Sequence, residues 1–152
     1  MKLKNVADSM MEVWDKYQDH PEEAILDVVQ VNADLAKTVV YFCQLTDLIS
    51  QAESNHFKAK QILKNQLEGA YFVEEREKAQ IEFTDHGGSK PTDTLVKAKA
   101  EKRSKPLRKN LIKTHEDMQY AVKFWDAAKE MINFLKKTLD VQREEFNKAG
   151  LV

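Results

Sequence analysis

One spacing runs without a break from Val28 to Val73: Val28, Val31, Leu35, Thr38, Phe42, Leu45, Ile49, Ala52, His56, Ala59, Leu63, Gln66, Ala70 and Val73 follow one another at intervals of three or four, most of them apolar. Such a seam lies along one side of a helix and is buried only against another helix running beside it. A strand of the same sequence would turn alternate residues to opposite faces and scatter the set. The terminal third repeats the pattern at Met118, Ala121, Trp125, Ala128, Ile132, Leu135, Leu139, Gln142 and Phe146. It adds a second, mostly apolar seam at Phe124, Ala127, Met131, Phe134, Thr138 and Val141. A helix with two apolar faces needs two neighbours. A two-helix hairpin supplies one, and a short N-terminal helix covers part of the second. The remainder is assigned to other copies of the chain: Phe124, Trp125, Met131, Ile132, Phe134, Leu135 and Leu139 are the candidate oligomerisation residues, and a homo-oligomer of more than two subunits is expected.

The breaks in the pattern are few. Pro21 followed by Glu22 and Glu23 suits the first turn of a helix, where the missing N–H costs nothing and acids complement the dipole. The stretch TDHGGSKPTD, 84–93, cannot continue a helix, and Pro106 restarts or kinks the next one. Gly150 closes the last. The sequence therefore predicts one all-α domain over 1–152: an N-terminal helix over 1–20, a long helix over 22–82, a loop over 84–92, and a basic then an apolar helix over 93–148. The expected shape is an elongated antiparallel hairpin. Four glycines and three prolines among 152 residues agree with long helices.

Composition excludes several classes. The single Cys43 rules out an internal disulfide framework, which fits a reducing compartment. The N-terminus lacks the apolar core of a signal peptide, and no run approaches the roughly 18 apolar residues of a membrane span. A cytoplasmic protein without membrane contact is expected. No G-x-x-x-x-G-K-[ST] loop is present, because HGGSKPT lacks its first glycine and the hydroxyl after the lysine. The four histidines form no H-E-x-x-H pair, and His56 sits on the seam, where a hydrogen-bonded core histidine is the expected role. Acids alternate with lysines at helical spacing, as in VEEREKAQ, which reads as surface pairing. The chain is expected to be no enzyme, with no catalytic residue, metal or cofactor.

Charge is unevenly placed. Net charge is −1, yet residues 1–55 hold four lysines against ten acids and residues 90–113 hold nine basic residues against two acids. A basic block suits a polyanion, since each neutralised phosphate releases counterions. Two clusters qualify. One is HFKAKQILKNQLEGAYF, with Lys58, Lys60 and Lys64 followed by Tyr71, on which a base would stack. The other is Lys97, Lys99, Lys102, Arg103, Lys105, Arg108 and Lys109. A fold-back at Gly87 and Gly88 would bring both to one end of the hairpin, as sequence-tolerant binding of single strands requires. A solvated helix face, or a surface docking an acidic protein in a structural or adaptor role, accounts for the same charges without nucleic acid.

The arrangement resembles the UvsY-type recombination mediators of tailed phages over residues 25–145. The resemblance is carried by the turn Leu63-Lys64-Asn65-Gln66-Leu67 before Tyr71 and Phe72, the glycine-bearing loop, the basic segment, and the stretch MQYAVKFWDAAKEMINFLKKTLD at 118–140. It implies helical-hairpin rings that bind single-stranded DNA, loosen a single-strand-binding protein and help a RecA-like recombinase assemble. Lys64 matches the family's basic turn. Gln66 stands where that pattern carries a second basic residue, which shifts the expected contact toward Lys58, Lys60 and the 97–109 block.

Overall fold

A computed structural model of the chain describes residues 3–19 and 27–150. The described residues are helical apart from short connections, and no strand occurs among them. The helices are α1 (Leu3–Asp19), α2 (Val28–Asn65), α3 (Tyr71–His86), α4 (Asp93–Arg103) and α5 (Lys105–Lys148), with a five-residue π-turn, Gln66–Ala70, joining α2 to α3. The predicted helix start at Pro21 and Glu22 lies outside the described residues. Asp27 starts α2, its side chain accepting from the Gln30 N–H at 3.0 Å. The loop between α3 and α4 follows Gly87, whose φ of +66° suits a residue without Cβ. Thr92 caps α4 by accepting from the Leu95 N–H. Pro106 falls in the first turn of α5, where it restarts a helix without breaking one. No described helix is long and apolar enough to cross a membrane.

The chain divides into two compact units. The first joins α1 and the N-terminal part of α2 to the C-terminal part of α5. Val6, Met10, Val13 and Tyr17, spaced four, three and four apart, give α1 one buried face. They meet Val31, Leu45, Ala128, Met131 and Leu135 in a single apolar cluster. The rings of Trp14 and Tyr17 both stand edge-on to Phe134, at 5.9 Å between centroids. Phe42 stacks on Trp125 at 5.1 Å, and the Trp125 indole N–H donates to Thr46 Oγ1 at 3.0 Å.

These contacts change the reading of the seven oligomerisation candidates. Met131 and Leu135 are buried within one chain, Phe124, Trp125, Ile132, Phe134 and Leu139 are half-buried, and all but Ile132 pack on or within the apolar cluster that α1 shares with α2. The N-terminal helix covers more of the second face than its length suggested, because its own apolar residues match that face over four turns. Val141 and Phe146 remain exposed near the end of α5.

Beneath α1 lies a carboxylate. Asp34 is wholly buried; its Oδ2 accepts from the Tyr17 hydroxyl at 2.9 Å, its Oδ1 from the Gln30 amide at 2.9 Å, and Lys16 Nζ stands 3.6 Å from Oδ1. Burial first, and then the Asp34 bond and charge, hold the Tyr17 phenol well above the usual tyrosine value. Because the folded-state pKa is the higher one, this contribution to stability is complete below the unfolded value of about 10 and is lost as pH rises beyond it. An absorbance titration should show the Tyr17 phenolate appearing only with unfolding. Ionisation of Tyr17 at its ordinary pH in folded protein would contradict the buried pair.

The second unit, residues 52–118, holds the rest of α2, the π-turn, α3, α4 and the start of α5. On α4 the small residues Val96 and Ala100, followed by Ser104 at its cap, are buried at spacing four and let the helix approach its neighbour closely. The π-turn explains a departure from the seam. Its Tyr71 N–H reaches the Gln66 carbonyl, five residues back, so one extra residue enters the helix and the buried face advances by about 100°. Ala70 and Val73, expected on the seam, are exposed; Tyr71, Phe72, Glu75 and Ala79 turn inward.

Candidate nucleic-acid interface

All eleven residues assigned to a nucleic-acid site fall in the second unit. That unit carries fourteen basic and eleven acidic residues, net +3, whereas the rest of the chain is net −4. The polarity persists but is smaller than the sequence blocks implied. The physical reason is that α4 packs against α3, and α3 is acidic: Glu74, Glu75, Glu77, Glu82 and Asp85 lie on it.

Arg103 shows the consequence most clearly. Its guanidinium donates to Glu75 Oε1 at 3.0 Å and pairs with Glu74 Oε2 at 2.8 Å, while its plane covers the Tyr71 ring at 4.5 Å. Glu75 is buried and needs this partner. The pairing, with Glu74 foremost, raises the Arg103 pKa further above its ordinary value. The ring face of Tyr71 on which a base was expected to stack is therefore occupied by an arginine of the same chain. Lys99 approaches Glu82 at 4.0 Å and Arg108 approaches Glu101 at 3.7 Å, both exposed pairs of small energetic weight that a phosphate can displace. Arg103→Met should lower the melting temperature by loosening α4 from α3, and leave the salt dependence of any nucleic-acid binding unchanged. A lower salt slope in a variant with unchanged melting would return Arg103 to the binding surface.

The other basic candidates point elsewhere. Lys58, Lys60 and Lys64 on α2, and Lys102, Lys105 and Lys109 at the α4–α5 junction, are exposed and form no ion pair among the described residues. Lys109 lines a shallow groove on α5 with Pro106, Ile112 and Lys113. Lys97 borders an open cavity of about 300 Å³ between the π-turn and α4, lined also by Leu67, Glu68, Phe72, Ala100 and Glu101.

Two features escape a reading by motif. His56 Nδ1 lies 3.3 Å from Thr114 Oγ1, and that hydroxyl donates its only proton to the Leu111 carbonyl at 3.0 Å. Nδ1 is then the donor of this pair; the His115 ring stands 5.1 Å away. The second is Phe57, exposed on α2 beside the lysines. The signal was available: Phe57 follows the seam residue His56 and belongs to neither seam, so no helix of the same chain was predicted to cover it.

Among the described residues no group of three or more His, Cys, Asp or Glu side chains is placed to hold a metal ion. What the fold and surface define is a helical protein with one positively charged unit and one negatively charged remainder. No family model, curated protein or solved structure matches the chain significantly.

Proposed function

We propose that this chain is a non-enzymatic recombination mediator that binds single-stranded DNA, loosens a single-strand-binding protein and helps a RecA-like recombinase assemble on the exposed strand. In this reading it works as a homo-oligomer of more than two antiparallel helical hairpins in the cytoplasm, the host's if the chain is phage-encoded. The observation that carries the binding step is the set of exposed lysines that form no ion pair among the described residues, on a unit of net positive charge: Lys58, Lys60 and Lys64 on α2, and Lys102, Lys105 and Lys109 at the α4–α5 junction. Several such surfaces in one oligomer add through effective concentration and favour exchange of one coating protein for another. The mediator role itself rests on the resemblance to UvsY-type proteins.

The inward pairing of Arg103 favours a second reading, a structural or adaptor protein in which the basic helix serves to neutralise α3. Fluorescence anisotropy of a labelled mixed-sequence oligonucleotide, single-stranded and then duplexed, at low and moderate salt separates the two. Salt-sensitive, single-strand-preferring binding by a species of more than twice the 17.6 kDa subunit mass in light scattering supports the mediator. No binding at low salt supports the adaptor.

A further inference from the structure

We propose that Phe57 is the residue on which a base of the bound single strand stacks, an inference that rests on the single-strand reading above. Its ring is 60 % exposed, an unusual position for a phenylalanine in the middle of a long helix. Its surroundings separate it from a chance exposed apolar residue. At 100° per residue, Lys60 lies about 60° and Lys64 about 20° from Phe57 around the axis of α2, with Gln61 about 40° to the other side. The aromatic and both cations thus share one face, within roughly 10 Å along the helix axis. Ala59, about 160° from Phe57, is the buried residue of this turn, so the face points away from the packed side.

The chemistry of that face matches a nucleotide. A base offers a π-surface to the ring, and the phosphates on either side meet two lysines that no carboxylate occupies among the described residues. Glu53, one turn before Phe57, closes the face on the N-terminal side and limits it to a short stretch of strand. Tyr71 does not compete for the role, since Arg103 covers it. Ile112 and Val141 are exposed as well and have lysines at one and two turns on their own faces, but neither offers a π-surface to a base; Phe83 and Leu95 lack a pair of lysines free of ion pairs among the described residues on theirs.

The test compares a 20-nucleotide thymidine strand with an abasic strand of equal length and charge, by anisotropy at several salt concentrations, for the wild-type chain, Phe57→Ala and Phe57→Tyr. The wild type and Phe57→Tyr should prefer the base-bearing strand about 5- to 100-fold. Phe57→Ala should lose that preference while keeping the same salt slope and the same thermal melt, because phosphate contacts and core are untouched. Equal affinity of the wild type for both strands overturns the stacking role and leaves phosphate binding in place. Failure of the wild type to bind either strand at low salt overturns the single-strand reading and this role with it. A fall in mass of Phe57→Ala by light scattering overturns it in another way, by showing that a second copy of the chain covers the ring.

Discussion

Replacing Lys58, Lys60 and Lys64 together by glutamine should weaken binding to single strands of every sequence about 100-fold at 0.1 M salt. The estimate follows from counterion release: each phosphate neutralised on a single strand adds about 0.7 to the slope of log affinity against log salt, so three contacts account for a slope of about 2. All three side chains are exposed and unpaired among the described residues, so on the proposed single-strand reading they would bring their whole charge to the strand, and glutamine keeps helix propensity with little change in fold. The matching variant of Lys99 and Arg103 should behave differently, because those cations already face Glu82, Glu74 and Glu75. If the α2 triple variant keeps its slope and the second variant loses it, the interface lies on α4 and the assignment made here is reversed. Measured slopes over a series of salt concentrations decide this independently of absolute affinity.

Asp34→Ala should destabilise the first unit by about 2–4 kcal/mol, the cost of leaving buried polar groups without their acceptor. The substitution strips Tyr17 and Gln30 of the carboxylate they share and opens a small cavity beneath α1. Lys16, half-exposed, returns to water and adds little to the loss. Urea unfolding followed by tryptophan fluorescence reads this directly, since Trp14 and Trp125 both belong to that unit. Leu135→Ala, a core truncation in the same cluster, is a suitable scale at about 2–5 kcal/mol. An Asp34→Ala midpoint equal to wild type would mean that the buried carboxylate contributes nothing net, as happens where desolvation offsets the bonds it makes. Asp34→Asn should fall between the two, keeping an acceptor for Tyr17 while turning an amide toward Gln30 or Lys16.

The two cases differ in how far residue order foretold them. The α2 lysines were visible as a cluster on a helix, and helical spacing alone put Lys60 and Lys64 on one face. Phe57 was equally visible once off-seam residues are taken as exposed, whereas closeness to the loop favoured Tyr71. Asp34 gave no such signal. It occurs between Val31 and Leu35 as one acid among ten in an acidic half, and only the position of Tyr17, seventeen residues earlier, makes it a buried acceptor. Arg103 belongs with Asp34: its place in a basic run said surface, and the packing of α4 on α3 put it over Tyr71 and against two glutamates.

Periodicity decided the helices, because a three-four recurrence over a dozen turns has no other way to be buried, and glycine and proline decided where they stop. Composition and spacing likewise determined which charged and aromatic residue types lie close together along the chain. The tertiary structure decided which charges remain available. A side chain's sign is local, but whether it meets water, a phosphate or a carboxylate depends on which helix packs beside it. The π-turn at Gln66–Ala70 made that choice for the second unit, turning Tyr71 and Glu75 inward by one residue's rotation and giving Arg103 a partner that no pattern along the chain could specify.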